Sequence, residues 1–207
     1  MQADEYLTII GESRGIYKEK GSKFLAFAYP VSDEETAKKH IQRLRREYFD
    51  ARHCCFAWRL GLDDNAFRTN DDGEPSGTAG KPIYGQIMSN ELTNILIVVV
   101  RYFGGVKLGT SGLINAYRTA AADAISAAQT IVKTANDYYS ITFSYDAMND
   151  VQRVIKEETP EIISQQFDLQ CQICFSVRKL RTEKIIDKLS KISSVQISET
   201  QAPASAI

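Results

Sequence analysis

Histidine is scarce in this chain, with only two in 207 residues, and tryptophan occurs once. Two imidazoles cannot assemble a multi-histidine metal site, and neither His40 nor His53 has a G-x-S-x-G serine beside it, which argues against Ser–His–Asp hydrolase chemistry. Long apolar runs are also missing. The longest, Ile95 to Val100, falls far short of the ~20 residues that a membrane-spanning helix needs, so no membrane association is expected. Charge of one sign is lacking as well: 25 Lys and Arg against 26 Asp and Glu leave a net −1. There is no global basic field, and any contact with nucleic acid must rest on a local patch. The opening M-Q-A-D-E-Y carries acids where a secretory signal carries a basic and then an apolar stretch. The expected location is cytoplasmic and reducing, which makes the four cysteines thiols.

What is present is an ordinary globular composition, 43% hydrophobic and 25% charged, in a chain long enough for two domains. Two extended stretches lie between Leu7 and Val31, with Gly21-Ser22 as a turn. Ser32-Asp33-Glu34-Glu35 has the capping-box pattern, and Ala37, Ile41, Leu44 and Tyr48 follow at helical spacing. Lys39, Arg43 and Arg46 share an outer stripe of that helix, which reads first as a solvated face and second as a phosphate-binding patch. Cys54 to Leu60 reads as a strand, followed by a polar loop through Asp63-Asp64-Asn65 and Asn70-Asp71-Asp72-Gly73. The β-branched run Ile95 to Tyr102 has no polar alternation, the mark of a central strand covered on both faces. After it come a glycine loop and a helix with Leu113, Ile114, Tyr117, Ala121, Ala124, Ile125 and Ala128 inward.

From Asp137 onward the pattern restarts. Tyr139, Ile141, Phe143 and Tyr145 alternate with polar residues, and the remaining segments follow in the order β-α-β-β-α-β, the split βαβ signature of a ferredoxin-like domain. The expected domains are residues 1–132 and 136–201, with a fraying tail at 202–207. Cys171-Gln172-Ile173-Cys174 spells C-x-x-C but sits in a strand pattern, so its two sulfurs point to opposite faces and form neither a redox pair nor a shared metal site. Cys54 and Cys55 alternate in the same way.

Two glycine-rich segments carry the remaining signal. D-G-E-P-S-G-T-A-G-K-P-I, from Asp72 to Ile83, is not a P-loop, because Pro75 and Pro82 stand where a glycine and a magnesium-binding hydroxyl are required. Gly104 to Gly112 lacks the Gly-Lys-Ser/Thr ending too. Ser76-Gly77-Thr78 and Gly109-Thr110-Ser111-Gly112 both look like helix starts, where free N–H groups and the helix dipole favour an anion, with Lys81 and Lys107 adding charge. Close backbone packing is the other reading of these glycines, and both stay open. Asp71, Asp72, Glu74 and His53 suggest an acid–base or metal cluster only thinly. No catalytic set, metal site or cofactor is expected.

These two segments, together with A-R-H-C-C-F-A-W-R, resemble the Impact/YigZ family over Leu7 to about Ala128, with a weaker likeness to the C-terminal domain of bacterial members. The resemblance implies an α/β (α+β) protein: an N-terminal domain similar to domain 2 of ribosomal protein S5, then a ferredoxin-like βαββαβ domain. Together they resemble domains IV and V of elongation factor G. The family's name-giving eukaryotic members regulate translation initiation by binding. The expectation is therefore a non-catalytic, translation-associated protein that contacts RNA or the ribosome. Its anion-binding residues would be Ser76, Gly77, Thr78, Lys81, Arg101, Gly104, Gly105, Lys107, Gly109, Thr110 and Ser111. His53, Asp72 and Glu74 are family-motif positions, and Lys39, Arg43 and Arg46 a secondary basic patch. Ser111 stands where the family commonly has glycine; a serine can cap a helix, but it narrows the room for close backbone approach to a phosphate. A protein–protein regulator is the alternative, using the Tyr138, Ser140, Thr142 and Ser144 face or the edge of the C-terminal sheet; an enzyme acting on a small phosphorylated substrate comes third.

Overall fold

A computed structural model describes residues 2–62 and 66–201. The Asp63-Asp64-Asn65 part of the expected polar loop and the 202–207 tail lie outside them. The chain forms two units, one of residues 6–133 and one of residues 134–207 together with the segment up to Glu5.

The first unit runs β1 (Glu5–Ile10), β2 (Ser13–Glu19), β3 (Ser22–Pro30), α1 (Glu34–Glu47), β4 (His53–Arg59), β5 (Phe67–Asn70), α2 (Gly80–Ser89), β6 (Ile95–Tyr102), α3 (Gly109–Ser126) and β7 (Gln129–Thr134). Five strands form one sheet in the order β2-β3-β6-β4-β5, while β1 pairs with β7 separately. Each adjacent pair in the five-stranded sheet is antiparallel. The unbroken apolar run of β6 is therefore not the mark of a parallel sheet. It arises because helices cover both faces. Ile95, Ile97 and Val99 pack with Ile83, Ile87, Leu113, Tyr117 and Ala121 from α2 and α3. Leu96, Val98 and Val100 pack with Ala37, Ile41 and Leu44 of α1. Every one of these β6 residues is fully buried, which makes β6 the spine that both cores share.

Several local readings shift. The helix cap is Asp33 rather than Ser32: its carboxylate accepts from the Thr36 amide, and the Ser32 hydroxyl bonds to Asp33 instead. Asp presents two acceptor oxygens and a charge to the dipole, so it takes the cap position. The N-terminal region holds three strands rather than two, since Gly11 at φ 69° separates β1 from β2. Two strands went unread, β5 inside the polar loop and β7 inside the expected linker. Their sequences, F-R-T-N and Q-T-I-V-K-T, have mostly exposed or half-buried residues, so neither carries a burial pattern.

The second unit runs β8 (Asn136–Phe143), a short 3-10 turn (Tyr145–Ala147), α4 (Met148–Glu158), β9 (Glu161–Phe167), β10 (Cys171–Arg178), α5 (Lys179–Ser190) and β11 (Gln196–Thr200). Its sheet order, β11-β8-β10-β9, and its antiparallel pairings are those of a split βαβ fold. Ile141, Phe143, Ile173 and Phe175 meet Val151, Ile185 and Leu189 in one core. Cys171 lies in that core while Cys174, on the opposite face, is half-buried, and all four cysteines are free thiols. Asp4 belongs to this unit too. Its buried carboxylate takes two bonds from Arg178, at 2.8 and 3.1 Å, and its carbonyl accepts from Ala135. The Arg178 guanidinium holds the Asp4 carboxyl below its usual range.

At Gly15, β2 comes close against the backbone of α3. A Cβ on Gly15 would overlap the Ala124 amide and approach Ala120 O to 2.8 Å. The Ser13 hydroxyl donates to Ala124 O, and the Asp123 carboxylate accepts from the Ile16 amide, which locks this close approach. Gly15→Ala is expected to lower stability by about 1–3 kcal/mol, because the helix backbone must move to admit a methyl group. Denaturant unfolding of the intact chain, monitored through Trp58 in the α1-side core, checks it.

Candidate functional site

The motif residues gather at one end of the five-stranded sheet. β4 begins where β6 ends, in antiparallel register with His53 opposite Arg101. The turn joining β2 to β3 reaches the same end, with Lys23 opposite Tyr102. Gly104 follows directly, and a Cβ on it would overlap the Gly21 carbonyl carbon and the Ser22 amide. Gly104 also donates its amide to the Ser22 hydroxyl at 3.2 Å. This glycine serves close packing.

Beneath these loops lies a buried polar cluster. Glu74 Oε1 accepts from Arg101 at 2.6 Å and from the Tyr117 hydroxyl at 2.8 Å, and all three residues are less than 9% exposed. The Arg101 guanidinium also lies over the Phe24 and Phe103 rings, at 5.4 and 5.5 Å. Cys55 Sγ is 3.3 Å from the Tyr117 oxygen, and burial pushes both the Cys55 thiol and the Tyr117 hydroxyl well above their ordinary values. Burial likewise raises the Cys54 thiol, to about 11. Neither cysteine is a ready nucleophile at neutral pH.

Asp71 and Asp72 face inward too. Asp71 accepts from the amides of Gly77, Ala79 and Gly80 at 2.8 to 3.0 Å. Burial pushes the Asp71 carboxyl up, but the amides together outweigh it and the net shift is downward. The anion at the start of α2 is thus the chain's own carboxylate, and α2 begins at Gly80, with Ser76, Gly77 and Thr78 in the preceding turn. Asp72, at φ 43°, accepts from Arg45 at 2.6 Å and from the Cys54 amide at 2.7 Å. Its carbonyl takes the His53 Nδ1 proton at 2.8 Å, which leaves Nε2 as the free edge, 3.8 Å from Glu74. His53 and Glu74 are neighbours, but the Asp72 carboxylate is turned to Arg45, so the three do not form an acid–base relay. Among the described residues no group of three or more His, Cys, Asp or Glu is placed to hold a metal ion. No helix among them is long and apolar enough to cross a membrane.

The expected anion-binding residues therefore divide into two sets. Arg101 is 5% exposed and ion-paired, Thr78 is buried with its hydroxyl donating to Pro75 O, and the Gly77 and Gly104 amides are engaged internally, whereas Ser76 is exposed. Lys81, Lys107, Gly105, Gly109, Thr110 and Ser111 are exposed, and nothing stands within 4 Å of where a Cβ would sit on Gly105 or Gly109. Among the described residues no side chain caps α3, Ser111 included. Among the described residues no acid comes within 4.0 Å of Lys81 or Lys107. On α1, Lys39 pairs with Glu35 at 2.9 Å and Arg43 with Glu12 at 3.5 Å, while Arg46 is exposed with no acid within 4.0 Å among the described residues. Sequence reasoning passed over Arg118, which shares a groove of ≈ 380 Å³ between α2 and α3 with Lys81, Pro82 and Ile114. It also passed over Lys20, Lys23 and Arg52; the only signal for the last was its place beside His53 in the motif.

This arrangement of loops coincides with a known family. The Impact N-terminal domain matches residues 20–125, just over half of the chain. The chain belongs to the IMPACT family. It is 35% identical to the IMPACT family member YigZ of Escherichia coli over 150 residues, 72% of this chain and 74% of that one. Likeness to an IMPACT family member of Haemophilus influenzae extends further, at 30% identity over 92% of this chain and 93% of the relative. A crystal structure of a hypothetical protein matches 97% of the chain and 99% of its own, with TM-score 0.71 and 29% identity. The two-domain α+β architecture is thus shared along nearly the whole length, while the IMPACT motif loops all fall in the first unit.

Two variants probe the inward-facing acids. Glu74→Ala leaves Arg101 buried without its counter-charge and is expected to cost about 3–5 kcal/mol. Asp71→Ala exposes three amides at the start of α2 and is expected to cost ~1–3 kcal/mol near neutral pH. Because the folded-state pKa of Asp71 is depressed, its contribution holds above the unfolded value of 3.8 and fades as pH falls through the folded value. The stability difference between wild type and Asp71→Ala, read from their unfolding curves, should therefore be constant above the unfolded value of 3.8 and shrink progressively as pH falls below it.

Proposed function

We propose that this chain is a non-catalytic, translation-associated binding protein that contacts RNA phosphate, ribosomal RNA included, through the loop between β6 and α3. The observation that carries this reading is a sorting of charge. The motif acids Asp71, Asp72 and Glu74 are all engaged by the protein's own donors, whereas Lys107 and Lys81 are exposed with no acid within 4.0 Å among the described residues. A chain of net charge −1 thereby presents local positive charge next to helix-start amides that no side chain caps. Translation as the setting comes from the family's eukaryotic members, which act on initiation by binding. The cytoplasm is the matching compartment.

A second reading has its own support in the C-terminal sheet. β9 is an edge strand, all seven of its residues are exposed, and Ile162, Ile163 and Phe167 are each about 40% exposed. An open edge with apolar side chains suits strand addition by a protein partner. Pulldown from nuclease-treated lysate separates the two: partners that survive the nuclease without ribosomal RNA favour the sheet edge.

For the RNA reading, affinity of the intact chain for RNA should fall steeply between 50 and 200 mM salt on the order expected of several phosphate contacts. Lys81→Ala with Lys107→Ala should lower the slope of log affinity against log salt by about 1–2 while the fold persists. Arg101 is left intact because it is buried. Binding that ignores salt in a fluorescence-anisotropy titration would falsify the phosphate contact.

A further inference from the structure

Phe103 is the feature at the motif end that the buried cluster and the phosphate loop leave unexplained. It directly follows the spine strand β6, yet its ring is 41% exposed. Beneath it the Arg101 guanidinium lies 5.5 Å from the ring centroid and is held by Glu74. Arg52, exposed, lies 5.9 Å from the same ring and is tied to β6 through its amide, which donates to Arg101 O. An aromatic ring at the surface thus has a buried, ion-paired guanidinium and an exposed one both lying over it. Further cations sit at the same end of the sheet, Lys23 on the face of Tyr102 rather than that of Arg101. Lys23 pairs in register with Tyr102, Lys20 occupies the tight turn that packs on Gly104, and Lys107 follows four residues after Phe103. All three lysines and Arg52 are exposed, and among the described residues none has an acid within 4.0 Å.

Resting on the RNA reading above, we infer that Phe103 is a base-stacking platform and that the ligand of this end is single-stranded RNA. The base displaces the exposed Arg52 guanidinium from the ring, and the flanking phosphates meet Arg52, Lys20 and Lys107. Duplex is disfavoured because paired bases keep their π-faces covered by their neighbours, and the deep, narrow major groove of an RNA helix does not admit a side chain. Stacking on an aromatic ring accepts any base, so recognition is tolerant of sequence and depends on salt through the lysines. The glycines serve the same purpose indirectly, since Gly21 and Gly104 in contact bring the lysine-bearing turn next to the ring.

The test uses the intact chain with a fluorescently labelled 12-nucleotide oligo(A) strand and a 12-base-pair RNA duplex, in anisotropy titrations at several salt concentrations. The strand is expected to bind more tightly than the duplex. Phe103→Ala and Phe103→Leu should each weaken strand binding about 5- to 150-fold, the range that base–aromatic stacking supplies, with the salt slope unchanged. Phe103→Trp should retain affinity, and its emission should be quenched on binding relative to the wild-type background of Trp58. Lys20→Ala with Lys107→Ala should instead reduce the salt slope. Far-UV circular dichroism establishes that each variant is folded, and Phe103→Leu, which keeps apolar bulk but has no π-face, serves if Phe103→Ala is not. Full affinity in Phe103→Leu, or equal binding of strand and duplex, overturns the platform while leaving phosphate contact standing. Failure of both RNAs to bind overturns the platform and the RNA reading together, and leaves this patch to a protein partner.

Discussion

The first unit is organised around one buried ion pair. Glu74 and Arg101 meet at 2.6 Å with almost no solvent contact, and the Tyr117 hydroxyl supplies a further donor. Taking two charges out of water costs several kcal/mol per ion before their attraction is counted, so such a pair is poor evidence of stability for its own sake. Its consequence here is positional. Glu74 comes from the motif loop, Arg101 from the spine strand and Tyr117 from α3, so one carboxylate ties three elements that lie far apart in sequence. The outward direction of the β6–α3 loop, and with it the stance of Phe103, depends on that tie.

The acids around the pair solve a related problem. A loop rich in Asp, Glu and Gly has many backbone amides and few neighbours, and unsatisfied amides at a helix start are costly once buried. Asp71 meets three of them with one carboxylate, and Asp72 closes the turn onto β4 and α1 through the Cys54 amide and Arg45. With the motif acids turned inward, the end of the sheet presents lysine, Arg52 and the Phe103 ring to solvent, together with the exposed Asp50 that accepts from Tyr102. Internal neutralisation of acids and external display of cations are therefore two sides of the same folding solution.

The second unit is built differently. Its core is a single layer of aliphatic and aromatic residues under α4 and α5, and its charged residues pair along the helices, with Glu158 nearly buried beside Lys184 and Lys188. Those lysines hold the Glu158 carboxyl below its usual range. The residues before β1 complete this unit through Asp4 and Arg178, so the two ends of the described chain are joined in one folding unit. Its exposed β9 edge is a surface of quite another chemistry from the cationic end of the first unit.

Periodicity was enough to read the spine strand, α1, α3 and the βαββαβ order of the C-terminal unit, because burial imposes a spacing of two or of 3.6 on those segments wherever they pack. β5 and β7 were illegible for the same reason: they are paired by backbone and barely buried, so they leave no pattern in side chains. For the site, the residues by themselves determined its chemistry, namely two glycine-rich loops with acids, lysines and an arginine. They did not determine which charges face each other. Asp71, Glu74 and Arg101 read equally well as ligand contacts or as partners of one another, since spacing along the chain carries no information on contacts between residues 27 positions apart. Only the tertiary structure decided that, because whether a charge is buried and paired or exposed and available depends on which strand ends and loops the sheet brings together.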